Sequence, residues 1–153
     1  MKIKFINIFF LAKVFVVFLI INSNGIAKES SFFDKGIEFF NKKDYEKSKL
    51  EFEKDIVFDP KSEKSYLYLA KIFYERENEE QQEINLNNVL LLNPQNDEAI
   101  YMLTILKIGQ SDYDRAKELI EKFSMVCKTF CSKKDEMREK FDKLIPENEK
   151  NND

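Results

Sequence analysis

Two prolines thirty-four residues apart constrain this chain more than any other feature. Phe58-Asp59-Pro60-Lys61-Ser62 is echoed by Leu92-Asn93-Pro94-Gln95-Asn96. In each, an apolar residue closes an amphipathic run and a short polar residue follows. Proline then stops the helix, because it lacks the N–H and crowds the preceding turn. A unit of that length is one helix–turn–helix hairpin, which cannot bury its apolar face alone and must stack on a neighbour. The expected fold is therefore all-α, an α–α superhelix of about three hairpins.

Composition agrees. The 153 residues suffice for one domain, and three glycines and three prolines argue against a loop-rich or all-β chain. Histidine is absent, which removes the commonest general base and the commonest metal ligand. No nucleophile elbow, glycine-rich phosphate loop or metal-ligand cluster occurs, so the reading is non-enzymatic, with no catalytic residue, no metal and no cofactor. Net charge is −3, and Lys2, Lys4 and Lys13 supply three positive charges, which leaves −6 on residues 28–153. An acidic chain without a basic face argues against nucleic acid.

Residues 1–27 read as a signal peptide. Met1-Lys2-Ile3-Lys4 is a basic start, Phe5 to Ile21 is apolar apart from Asn7 and Lys13, and Gly25-Ile26-Ala27 sets small residues before a cleavage point after Ala27. An uncleaved membrane helix is the alternative, although seventeen residues are at the short limit for a span of about 20. Either way the folded part is expected outside the cytoplasm, in a periplasm or secreted, and membrane contact is expected only with the second alternative.

Three units follow, at 29–62, 63–96 and 97–130. The first offers Phe32, Gly36, Phe39, Asp44-Tyr45, Ser48, Phe52 and Pro60. The second gives Tyr66, Leu69, Ala70, Phe73, Leu86, Val89 and Pro94, with Glu79 and Gln82 where an aromatic and a small residue would suit, so its inner turn is expected to be looser. The third has Ile100, Leu103, Thr104, Asp112-Tyr113, Ala116 and Ile120, but Lys107 and Lys128 at its aromatic and proline positions. Small residues here let paired helices approach while rings fill the gap. Its first helix, apolar nearly all round, should be the most buried, with Gly109 as C-cap. Ser132 to Pro146 reads as a capping helix with Met137, Phe141, Leu144 and Ile145 on one stripe. The domain thus spans 28–146, and 147–153 is expected to fray.

This pattern resembles the tetratricopeptide repeat (TPR) family over residues 29 to about 128. The resemblance implies a curved stack whose first helices line a concave groove. Phe33, Ile37 and Phe40 would face that groove, then Lys64, Leu67, Lys71 and Tyr74, then Glu98, Tyr101, Ile105 and Ile108. Chaperone-binding members grip a terminal carboxylate with Lys, Asn and Arg. Phe33 and Ile37 replace the first two of those, so the clamp is not carried over. The expectation is an exported scaffold that binds a protein or peptide partner through a largely apolar groove. Ordinary packing of the same side chains is one alternative, and a structural subunit that self-associates as a homo-oligomer is another.

Cys127 and Cys131 close the inventory. An even cysteine count in an exported chain favours a disulfide over free thiols, and zinc would need further ligands. On an unbroken helix residues four apart hold their Cβ atoms about 6 Å apart, too far for the bond. A disulfide therefore requires a break between them, with a restart at Ser132. Asp55 is the remaining oddity, a carboxylate at a packed position that needs a donor, from Tyr66 or Tyr68 or from water at a splayed site.

Overall fold

Apolar spacing becomes helix at every unit. The computed structural model describes residues 31–144, and the leader at 1–27, Ile145, Pro146 and the 147–153 tail lie outside them. Its helices are α1 (Ser31–Asn41), α2 (Tyr45–Phe58), α3 (Glu63–Glu75), α4 (Glu79–Leu92), α5 (Asp97–Gly109), α6 (Tyr113–Val126) and α7 (Lys134–Leu144), and a 3₁₀ turn at Cys131–Lys133 precedes the last. They pair as hairpins α1–α2, α3–α4 and α5–α6, and α7 lies against α5 and α6. Among the described residues there is no strand.

The three hairpin turns are built alike. Asp44, Asn78 and Asp112 cap the second helix of each unit by accepting from the N–H three residues on. Their own N–H groups donate to the carbonyls of Phe39, Phe73 and Lys107 at 3.0, 2.9 and 2.9 Å. The second turn is therefore no looser than the others, since Asn78 supplies the cap whatever stands at Glu79. Each turn passes through one left-handed residue: Lys43, Glu77 or Ser111. Gly109 is not that residue; it ends α5 inside the helix, and Ser111 takes the turn.

Two apolar clusters hold the stack. Phe33, Phe52, Leu69, Ile72 and Phe73 form the first, and Leu86, Ile100, Leu103, Leu119, Phe123 and Met137 are the heart of the second. α5 has seven buried residues, more than any other helix described. Phe58, which closes the amphipathic run of α2, is 72% exposed and stacks on Phe32 at 5.2 Å.

Asp55 is buried, and two serine hydroxyls reach it. Its carboxylate accepts from the hydroxyls of Ser62 at 2.6 Å and Ser65 at 2.5 Å. One repeat later the corresponding positions are Val89 and Ala99, both fully buried. The first junction thus uses a hydrogen-bonded polar set where the second uses an apolar contact, and both satisfy the rule that buried polar groups be paired.

The first residue of a unit holds the turn that ends it. Glu63 Oε1 accepts from the side-chain amides of Asn93 at 3.0 Å and Asn96 at 2.5 Å. Asp97, thirty-four residues on, does more. Its Oδ2 accepts the backbone N–H groups of Lys128, Thr129 and Phe130 at 2.7, 2.6 and 2.9 Å, and Thr129 Oγ1 donates to Oδ1 at 2.9 Å. A proline at 128 would have no N–H to give, which explains why lysine is accommodated there. Burial works to raise the Asp97 pKa, but the N–H donors of Phe130, Lys128 and Thr129 outweigh it and hold the carboxyl at about 2.

Those three donors lie between Cys127 and Cys131, which are disulfide-bonded with Cα atoms 5.2 Å apart. The helix is broken there, and the chain restarts at Cys131 as a 3₁₀ turn before α7 begins at Lys134. Closing so short a ring is worth about 2 kcal/mol by loop-closure entropy. Reduction is therefore expected to lower the melting temperature by roughly 5–10 °C, read by circular dichroism with and without dithiothreitol. An unchanged melting temperature, with both thiols alkylated only after reduction, would show that the bond contributes nothing.

Candidate partner-binding groove

The first helices α1, α3 and α5 form one layer, joined by side chains along its length. Tyr68 of α3 meets the rings of Phe33 and Phe40 on α1 edge-on, at 6.0 and 5.1 Å. Lys71 lies over the Tyr68 ring at 4.8 Å and pairs with Glu98 of α5 at 2.7 Å. The N-terminal half of this layer is thus paved by aromatic rings, with lysines drawn over them.

At the C-terminal half the layer opens into a hollow of about 380 Å³. Tyr74 and Glu77 from α3 and its turn stand on one side, and Tyr101, Met102 and Ile105 of α5 on the other, with Lys140 of α7 at the end. Its exposed lining is mostly apolar, as in sites that take an apolar anchor with a few polar groups for orientation. Tyr101 is fixed from above. Its hydroxyl donates to Glu136 Oε1 at 3.0 Å, and its ring packs on Phe130 at 6.0 Å. Burial raises the Tyr101 pKa, and the Glu136 carboxylate raises it further. Glu136 in turn is held at about 2, first by Lys133, then by the Tyr101 hydroxyl and by Lys140. Among the described residues no cluster of three or more metal-ligating side chains is present, and no helix is long and apolar enough to cross a membrane.

No family model and no curated protein sequence matches the chain. Solved structures do. The first TPR of Spaghetti (RPAP3), bound to the HSP90 peptide SRMEEVD, superposes with a TM-score of 0.66 at 17% identity, covering 74% of this chain and 90% of that one. The CopN–Scc3 complex gives 0.61 at 18% identity over 80% and 79%, and the Sgt2 TPR domain from Aspergillus fumigatus gives 0.62 at 15% over 73% and 78%. The chain has the tetratricopeptide fold.

Within that fold the expected groove residues divide. Phe33, Leu67 and Ile108 are buried at 7%, 8% and 4% exposure. They belong to the packed interior, because rings and helices on both sides close over them, and they offer no surface to a partner. Ile37, Phe40, Lys71, Tyr101 and Ile105 are half-buried, and Tyr74 is 58% exposed. The structure brings Tyr74, Tyr101 and Ile105 together in the hollow and leaves Ile37 and Phe40 at the other end of the layer. Met102, Lys140 and Glu136 escaped the sequence reading. Met102 lies one residue beyond a groove position, and α7 belongs to no repeat, so periodicity could not place its side chains on the concave side of the TPR stack.

Proposed function

We propose that the chain is a non-enzymatic TPR scaffold that takes an apolar anchor of a protein partner, on a helix or an extended segment, into the hollow between α3, α5 and α7. The observation that carries this reading is the exposed Tyr74 facing Tyr101 and Ile105 across an apolar recess. Aromatic side chains in such recesses dominate binding energy. The peptide in the Spaghetti TPR structure supports a groove ligand in general. The leader-like residues 1–27, whether removed after Ala27 or kept as a tether, support a place outside the cytoplasm.

The test is crosslinking in the native host, comparing wild type with Tyr74→Lys and Tyr101→Lys after circular dichroism has confirmed that both fold. Loss of one such hot spot is expected to reduce partner capture about tenfold or more. Undiminished capture by both folded variants would overturn the groove. Fractionation of the same preparation is expected to place the chain outside the cytoplasm, and recovery with the cytosol would overturn export.

A further inference from the structure

The three units end their second helices by two different means. Pro60 and Pro94 stand two residues beyond α2 and α4, and that block is permanent. The corresponding residue after α6 is Lys128, and no residue between Cys127 and Cys131 forbids helix. There the disulfide supplies the stop, since it cannot close across a continuous helical turn. Unlike a proline, it can be opened. Cys131 is exposed and Cys127 half-buried, so a thiolate has access to the bond.

What lies beyond this stop governs Tyr101. The Phe130 ring packs on the Tyr101 ring at 6.0 Å, the Lys133 ammonium stands 5.7 Å from its centroid, and Glu136 accepts its hydroxyl at 3.0 Å. Tyr101 and Lys140 of α7 both line the hollow. We infer that the Cys127–Cys131 bond is a redox latch on that hollow, an inference that rests on the hollow being the partner site. A protein dithiol opens the latch. One of its thiolates attacks Cys131 Sγ, the sulfur–sulfur bond breaks, and Cys127 leaves as a thiolate that takes a proton from water. The second thiolate displaces Cys131, which is protonated in turn, and the reductant departs as a disulfide, having given up two electrons. Exchange in the reverse direction with a protein disulfide closes the latch again. Once it is open, Asp97 alone holds the loop, and the loop opens more often. Phe130, Lys133 and Glu136 then no longer fix Tyr101, so a partner must order that ring as it binds.

The full chain labelled with fluorotyrosine is examined by fluorine NMR below its melting transition, oxidised and after dithiothreitol. Tyr101→Phe identifies the resonance. Reduction is expected to move or broaden Tyr101 and to leave Tyr45 and Tyr68, in the first two hairpins, in place. The amides of Lys128, Thr129 and Phe130 should exchange about tenfold faster or more, and reoxidation should restore both readings. An unmoved Tyr101 in a chain whose thiols can both be alkylated overturns the latch. So does a joint movement of all the tyrosines, which would be unfolding. In the crosslinking experiment, a folded Cys127→Ser/Cys131→Ser chain should capture partner about threefold less or weaker still. If that chain captures as wild type does while Tyr74→Lys loses capture, the hollow stands and the latch falls. If Tyr74→Lys and Tyr101→Lys keep full capture, the hollow falls, and the latch has nothing to control whatever the spectra show.

Discussion

Replacing Asp97 with alanine is expected to destabilise the fold by about 3 kcal/mol at pH 7, because three backbone N–H groups and a hydroxyl lose a charged acceptor at a buried site. In urea melts monitored by far-ultraviolet circular dichroism, this should shift the midpoint with little change in slope. The pH dependence gives a second reading. Asp97 has its pKa lowered from 3.8 to about 2 in the folded chain, so its contribution is fully present above the unfolded value. It fades as pH falls from about 4 through 2, and amounts to about 2 kcal/mol. Asp97→Asn should therefore be less stable than wild type at pH 7 and should lack that part of the acid decline. The effect is also expected to be less than additive with Cys127→Ser/Cys131→Ser, since the disulfide orders the very loop that donates to Asp97. A loss under about 1 kcal/mol for Asp97→Ala would show that water replaces the carboxylate without penalty.

Phe52→Ala should be at least as damaging. The ring is fully buried in the first cluster, against Phe33 at 5.7 Å and Tyr68 at 5.1 Å, and its removal is worth about 3–5 kcal/mol. Gly36 explains why the ring fits. A Cβ at that residue would lie 2.6 to 2.8 Å from three of the ring carbons, and Ser48 Oγ donates to the Gly36 carbonyl at 2.9 Å across the same contact. Gly36→Ala sets a helix-propensity gain of about 1 kcal/mol against overpacking of about 1–3 kcal/mol. The ring is walled in, so the clash should win and the substitution should destabilise. The double variant is the sharper measurement. Once the ring is gone the three closest contacts of the new methyl go with it, so Gly36→Ala in the Phe52→Ala background should be neutral or stabilising. If Gly36→Ala costs the same in both backgrounds, the glycine is not there for the ring.

How far the sequence could be read depended on whether a residue's task recurred. Pro60 and Pro94, Asp44 and Asp112, and the small-residue position held by Gly36 recur at the spacing of the units, so the pattern exposed them. Asp55 could be marked as anomalous, but its donors could not be named, because Ser62 and Ser65 come close only once the first two hairpins stack. Lys128 looked like a defect in the third unit for the same reason: the carboxylate that makes it acceptable is thirty-one residues away. Counting positions overestimated what the first helices expose. Phe33, Leu67 and Ile108 are closed over by neighbouring rings and helices, which a face-counting rule does not weigh. The end of the hollow was invisible, since α7 follows no repeat and its Glu136 reaches Tyr101 only through the break that the disulfide holds.

Lys43, Glu77 and Ser111 differ in size and charge, yet all three take the left-handed backbone at the same turn. The hairpin's closing bonds impose that state at roughly 1–2 kcal/mol per tip, so the identity of the side chain is spare there. A fluorophore written onto Glu77 would stand at the rim of the hollow and sense its occupancy. The same dye at Lys43, on the first hairpin and away from the hollow, would serve as a built-in reference at no expense to the interior.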